Sequence, residues 1–531
     1  MRPSVRAVLP ALLLAFVALL PGCLTSSELQ CVSGTVRCGD TCVATQTDNS
    51  NCGSCGSACS GGNVCVAGAC VCPVGQGVCN GICTSIGTDP NNCGACGVQC
   101  GQGFACNQGV CQDCSGGGCQ NVQVLAGCIA APGGYLQPIE DAPGGLLLQA
   151  PVNPAGATFS ATFPDALGLL GGALLYADHD SSTLFEVPVG ALNTASNERV
   201  SLVGSSTGSK AGTTQVYVEP APDGGSLIYA MASSVNALRI FGGPPADQAA
   251  QLLDAGGGSV GALGLQDLGG AAFDPGSFPE PFAKVGNDVF VPLNGTGKVL
   301  RLDVSNPASA VLKDTFDLQP LVAALPGGGT APDGGPFLPS PTQAIARNGV
   351  VYVAANVLRF YADFSGADYG PPLVVRIDPG QSGQAALSAV GGLGADAGCQ
   401  NVEWLEGLPA GSSGAPMLVS CAGARKYDQN FFVTSVKNTA LLLLDGADQP
   451  VAAWVPSNGP IGADGGPPPP SVGRAVGNNG AVYVADETDS RLYVVRVSNN
   501  SLVERVGYID GGTPPQVCPN FITDLVVIPP Q

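Results

Sequence analysis

The chain has 531 residues, 45% of them apolar and 11% charged, with 77 glycines and 44 prolines. That is room for two to four domains, rich in turns and poor in long helices. Forty acidic against 20 basic residues give a net charge of -20, which argues against a nucleic-acid partner, and a single histidine disfavours His-based catalysis and multi-His metal sites.

At the start, Arg2 and Arg6 precede an apolar run from Val8 to Leu20. The run is too short to cross a bilayer and fits a secretory signal. It ends in Leu20-Pro21-Gly22-Cys23, which over four residues resembles the bacterial lipobox. The resemblance implies a signal peptide over residues 1–22, diacylglycerol on the Cys23 thiol, acylation of the new amine, and a lipidated tether over 23–30. Several acyl chains would anchor the protein firmly, at about 0.8 kcal/mol per buried CH2. Leu24 after the cysteine implies the outer membrane by the enterobacterial sorting pattern. The alternative is an ordinary signal peptide with an incidental cysteine.

Nineteen of the 23 cysteines lie between Cys31 and Cys128. Cys31, Cys38, Cys42, Cys52, Cys55, Cys59, Cys65 and Cys70 are answered by Cys72, Cys79, Cys83, Cys93, Cys96, Cys100, Cys106 and Cys111, each displaced by 41 positions. Asn51-Cys52-Gly53-Ser54-Cys55-Gly56 answers Asn92-Cys93-Gly94-Ala95-Cys96-Gly97, and Asp48 answers Asp89. Eight cysteines per repeat allow four internal disulfides, in any of 105 pairings. A unit of about 40 residues is too small for a conventional core, and disulfides contribute about 2–4 kcal/mol each. The competing reading takes Cys52-x2-Cys55-x3-Cys59 as zinc or iron–sulfur ligands. The spacing over residues 31–114 resembles the plant stigma-specific cysteine-rich family, known also as a domain of bacterial lipoproteins; the resemblance implies a small extracellular interaction module rather than an enzyme. We expect one repeat over 31–71 and a second, with a clip, over 72–119. Of the remaining cysteines, Cys114–Cys119 is expected as the clip, Cys399–Cys421 within one sheet, and Cys128–Cys518 joining the ends of the large domain, although other pairings are open.

From residue 120 to 531, short apolar runs recur between Gly, Asp, Asn and Pro. Leu174-Leu175-Tyr176-Ala177-Asp178 with Thr183–Val187, and Val482-Tyr483-Val484-Ala485-Asp486 with Arg491–Val495, are near copies. Leu227–Ala230 with Ala237–Phe241, Val289–Pro292 with Lys298–Val304, Val350–Ala354 with Leu373–Ile377, and Met417–Ser420 with Ala440–Leu444 follow the same plan. Each reads as an antiparallel hairpin. Their centres Tyr176, Tyr229, Phe290, Tyr352, Val419 and Tyr483 are 53 to 67 residues apart, which predicts a radial arrangement of blades. Phe521–Ile528 is left without a hairpin, and we expect it to complete a sheet with the stretch from Gln123 to Gln149. The fold class is therefore all-β: disulfide-rich tandem modules, then a β-propeller of seven blades, with six blades or a row of sandwiches as alternatives. Tyr483-Val484-Ala485-Asp486 and Val375-Arg376-Ile377-Asp378 resemble the blade motif of YVTN or NHL-type bacterial propellers. The whole chain is thus similar to a bacterial, myxobacterial-type lipoprotein. The Pro222–Gly225, Pro332–Gly335 and Ala463–Pro470 stretches read as loop insertions.

The candidates for chemistry are few. His179, between Asp178 and Asp180, is expected to be a solvent-facing turn residue rather than a base or metal ligand. Asp486, Glu487 and Asp489 could be read as calcium ligands but serve better as turn caps. Trp404 and Trp454 are expected in packing, and Arg425-Lys426-Tyr427 in a solvated loop. No G-x4-G-K-[ST] or H-E-x-x-H occurs. The expectation is a non-enzymatic, lipid-anchored protein of the bacterial cell envelope, in which a disulfide-rich stalk presents a propeller to a protein or glycan, with no cofactor. The alternatives are a lyase, lactonase or quinoprotein-type propeller enzyme and a purely structural envelope component.

Overall fold

The computed structural model describes residues 31–528 apart from a set of connecting stretches, the longest being 86–91, 99–103, 114–122, 153–163, 193–199, 204–209, 254–260, 362–366, 409–415, 428–432, 457–469 and 505–513. The signal, the tether, Cys23 and the Cys114–Cys119 clip lie outside the described residues. Among the described residues, no helix is long and apolar enough to cross a membrane. The chain divides into two compact units, Met1–Thr84 and Ser85–Gln531.

The first unit is stapled in a way the cysteine count allows. Cys31–Cys42, Cys38–Cys55, Cys52–Cys65 and Cys59–Cys70 close repeat 1 internally, and Cys72–Cys83 opens repeat 2 with the same 11-residue span as Cys31–Cys42. The sulfurs of Cys52, Cys59 and Cys70 lie within 4.8 Å of one another because two disulfides pack together. Cys52, Cys55 and Cys59, the thiols of the metal reading, are all bonded in sulfur pairs. The repeated Asn-Cys-Gly-x-Cys-Gly segment is a turn. Asn51 Oδ1 accepts the Gly56 N–H at 2.8 Å, and its counterpart Asn92 Oδ1 accepts the Gly97 N–H at 2.9 Å. Gly56 and Gly97 have φ of 75° and 76°, where a side chain would be strained.

In the second unit, seven four- or five-stranded antiparallel sheets form the propeller. The innermost strands of blades 1 to 6 are Pro164–Leu170, Thr213–Pro220, Ala283–Val285, Leu338–Arg347, Val402–Gly407 and Val472–Asn478. Blade 7 takes its innermost strand, Phe521–Ile528, from the far end of the chain and sets it against Gln123–Ala130, Gly133–Ala142 and Gly145–Leu148. Cys128–Cys518 spans 390 residues across this closure. All six expected hairpins are present as the second and third strands of blades 1 to 6.

The second strands read as unbroken apolar runs because each buries both faces. In Ala173–Asp178, residues Ala173, Leu175 and Ala177 pack toward blade 2, whereas Leu174 and Tyr176 pack toward blade 7. In Ala481–Asp486, Val482 and Val484 face blade 5 while Tyr483 faces blade 6's other neighbour, blade 7. The described core accordingly falls into seven clusters, one between each pair of adjacent blades. Two of the buried tyrosines have a partner for the hydroxyl: Tyr229 donates to Glu219 at 2.8 Å and Tyr483 to Asp141 at 2.7 Å.

Two expectations about loops need correction. Ala221–Gly225 is not an insertion but the tight turn between the first two strands of blade 2, with the Gly225 N–H bonded to Asp223 Oδ1. Arg425-Lys426-Tyr427 lies in strand Ala424–Tyr427, paired with Val433–Lys437, in place of a loop; these two strands form a sheet of their own, inserted in chain order between the second and third strands of blade 5.

Candidate functional site

The inner strands carry a shared irregularity. Register shifts mark an extra residue at Asp165 in blade 1, Thr214 in blade 2, Thr342 in blade 4, Glu403 in blade 5, Gly473 and Arg474 in blade 6, and Thr523 in blade 7. In blade 3, Glu280 follows Pro279, which bridges Leu293 in the equivalent way. A bulge re-aims a side chain, and such bulges are frequent at the rims of closed sheets. Here Thr342, Glu403, Arg474 and Thr523 line one cavity of about 220 Å³ with Asn356, Trp404 and Glu487. Asn356 belongs to the second strand of blade 4, and Glu487 follows the second strand of blade 6. The cavity therefore opens at the face where inner strands begin and second strands end.

The ring is clasped strand to strand. The Thr213 N–H bonds Asp165 Oδ2 at 3.0 Å, and the Phe282 N–H bonds Gln215 Oε1 at 2.9 Å. The Ala344 N–H reaches Pro281 O at 2.7 Å, and the Leu405 N–H reaches Gln343 Oε1 at 2.6 Å. Trp404 Nε1 donates to Ala475 O at 3.1 Å, Arg474 pairs with Asp524, and Asp524 Oδ2 accepts the Leu167 N–H at 2.8 Å. Each inner strand thus touches the next by a named polar contact, which fixes the cavity walls.

The cavity lining carries two carboxyl groups, Glu403 and Glu487, and one cation, Arg474, with Glu280 and Glu406 on the inner-strand segments around it. Arg474, its guanidinium 4.1 Å from the Trp404 ring centroid, is neutralised by Asp524. Burial pushes the Glu280 carboxyl up to about 8, and the nearby Arg474 only partly opposes this. Burial likewise raises Glu406 to about 7 despite the Gly477 N–H that it accepts at 3.0 Å. A Cβ on Gly473 would lie 2.4 Å from the Glu487 side chain, so a glycine is what lets Glu487 fold over the inner strand.

The structure redistributes the sequence candidates. His179 is half-buried and bonds Asp165 Oδ2 through Nδ1 at 2.9 Å, rather than facing solvent from a free turn. Burial raises Asp165 to about 6, against the pull of His179 and the Thr213 N–H. The trio Asp486, Glu487 and Asp489 is split. Asp486 caps the Ser471 and Thr488 N–H groups at 2.9 Å, Asp489 pairs with Arg491, and Glu487 goes to the cavity. Burial, then Asp489, raise Asp486 to about 7. Trp454 packs against Tyr493 as expected, but Trp404 lines the cavity and is not only packing. Thr342, Asn356, Glu403 and Arg474 carry no local motif. Aligning the seven inner strands on their bulges would have placed Asp165, Thr214, Glu280, Thr342, Glu403, Arg474 and Thr523 in one column.

No known protein-family pattern matches the chain, and no curated protein matches it. Solved structures that it is similar to include apo AztD from Citrobacter koseri, at 13% identity and TM-score 0.40, over 77% of this chain and 98% of that one. A virginiamycin B lyase from Staphylococcus aureus is similar at 9% identity and TM-score 0.34, over 66% and 85%. A candidate 6-phosphogluconolactonase from Bacteroides fragilis is similar at 12% identity and TM-score 0.40, over 77% and 98%. The assignment of seven blades rests on the sheet topology and the closing strand.

Proposed function

We propose that the protein is a non-enzymatic, lipid-anchored component of a bacterial cell envelope, and that its propeller binds a polar protein or glycan ligand at the mouth of the channel. One observation carries the binding reading: bulges on separate inner strands bring Thr342, Glu403, Arg474 and Thr523 into one cavity with Asn356, Trp404 and Glu487. Amide, carboxylate and hydroxyl groups beside an aromatic ring suit a ligand with many hydrogen-bonding groups. The N-terminal disulfides supply a compact spacer that resists proteases, and Cys23 supplies the anchor. The test is binding of a soluble form starting after Cys23 to fractionated envelope glycans and proteins. Asn356→Leu should abolish the saturable binding shown by the parent; equal binding by the two refutes the site. Persistence of the unlipidated form at the membrane, or insensitivity of maturation to globomycin, refutes the anchor.

A specific observation favours a second reading, that of a propeller enzyme. Sequence reasoning expects the channel to be poor in reactive groups, yet Glu280, Glu403, Arg474 and Glu487 all stand in or beside it. A carboxyl held protonated near neutral pH is suited to general acid work. Elemental analysis of the purified protein separates the readings: a stoichiometric buried metal would favour the enzyme.

A further inference from the structure

In each blade a register pair just ahead of the irregularity joins the inner-strand segment to the second strand. The pairs are Pro164 with Asp178, Thr213 with Ala232, Pro279 with Leu293, Pro341 with Ala355, Val402 with Cys421, Val472 with Asp486, and Ile522 with Cys128. In blades 4 to 7 the residue that follows, Thr342, Glu403, Arg474 after Gly473, or Thr523, lines the cavity, so this pair sets where that side chain goes. The blades secure it by different chemistry. In blades 2, 3 and 5 the backbone does part of the work: Ser233 N–H to Gly212 O, Asn294 N–H to Phe278 O, and Ala422 N–H to Asn401 O, at 2.9 to 3.0 Å. Gly212, Phe278 and Asn401 all adopt positive φ there, of 52°, 46° and 57°. In blade 6 the side chain of Asp486 accepts the Ser471 N–H and so holds the segment that leads into the inner strand.

In blades 5 and 7 the same position is a cysteine. Cys421 is bonded to Cys399 and Cys128 to Cys518, in each case a residue shortly before the inner strand. All four cysteines are buried, with exposures of 2% or less, so a soluble thiol does not reach these bonds and they do not act as a switch. They flank blade 6, which supplies Arg474 and Glu487. The residues just beyond them are Glu403 and Trp404 in blade 5, and Thr523 and Asp524 in blade 7. These line the cavity or hold Arg474.

We propose that Cys399–Cys421 and Cys128–Cys518 are positioning elements of the channel-mouth site, doing with a covalent bond what Asp486 does with hydrogen bonds in blade 6. This builds on the reading of the mouth as the binding site, but the cavity itself can be read without a ligand. The chain has two tryptophans, so Trp454→Phe leaves Trp404 as the only indole reporter. In that full-length background, Cys399→Ser with Cys421→Ser should raise acrylamide quenching of Trp404 about twofold or more and move its emission to the red, as local loosening of the wall admits solvent. The far-UV spectrum should stay that of the parent. Cys399→Ser with Cys421→Asp imports the blade 6 solution and should return quenching to the parental value. This second variant also covers the case in which the serine pair fails to fold. Unchanged quenching in the serine pair would overturn the proposal, as would an aspartate variant no better than the serine one, because general destabilisation would then account for both. If quenching responds as expected but Asn356→Leu leaves envelope binding intact, the positioning role stands and the binding reading falls.

Discussion

Glu280 is where burial and charge are most at odds, and replacing it should make the protein more stable in alkali. Its carboxyl titrates at about 8 in place of the ordinary 4.5, chiefly because the channel desolvates it. The folded state therefore holds this proton more tightly than the unfolded chain does. The sign follows from linkage: the group's contribution is fully present below about 4.5 and is lost as pH rises through 8. A displacement of this size corresponds to on the order of 4–5 kcal/mol, and the partial exposure of Glu280 trims it to on the order of 3 kcal/mol. Glu280→Gln keeps the shape and removes the titration. Urea denaturation of both proteins at pH 4, 7 and 9 should show near-equal stability at pH 4 and a lead for the variant that grows to about 3 kcal/mol at pH 9. A difference that does not change with pH would show that Glu280 titrates normally, and the description of the channel interior as desolvated would be wrong.

Three further outcomes follow from the same geometry. Cys128→Ser with Cys518→Ser frees a span of 390 residues and should cost about 4–6 kcal/mol on the chain-entropy account, measured by urea denaturation without reductant; a loss under about 1 kcal/mol would mean that the ring closes by strand pairing alone. Arg474→Ala leaves the Asp524 carboxylate buried without its cation and uncovers Trp404. It should cost about 3–5 kcal/mol in thermal or urea unfolding and change Trp404 emission, and a near-neutral result would show that the pair is solvated. Treatment with a thiol should make the N-terminal cysteine-rich segment sensitive to protease while the propeller, whose two described disulfides are buried, survives; loss of both together would refute independent folding.

The hairpins were legible because of how blades pack. A strand such as Leu174–Asp178 that contributes alternate side chains to two interfaces must be apolar throughout, and that leaves a visible run. Spacing then showed six blades, and the unpaired Phe521–Ile528 pointed to a seventh that closes the ring. The cysteine repeat was equally plain, since 41-residue periodicity needs no structural knowledge. The channel mouth was not legible. Each inner strand gives it one or two residues, separated from the next contributor by about a blade, and a bulge leaves no compositional mark. His179 shows the same blindness: its partner Asp165 lies 14 residues away on another strand, whereas the eye is drawn to the adjacent Asp178 and Asp180.

The last sheet has a consequence for biosynthesis. Gln123–Ala130 leaves the ribosome early, yet the strand beside it, Phe521–Ile528, is made only after the other six blades. Until then one hydrogen-bonding edge of blade 7 stays open and the ring has no keystone. Such an edge invites wrong pairing in a crowded compartment. It also keeps the nascent chain from locking into a closed ring before its last strand has been made.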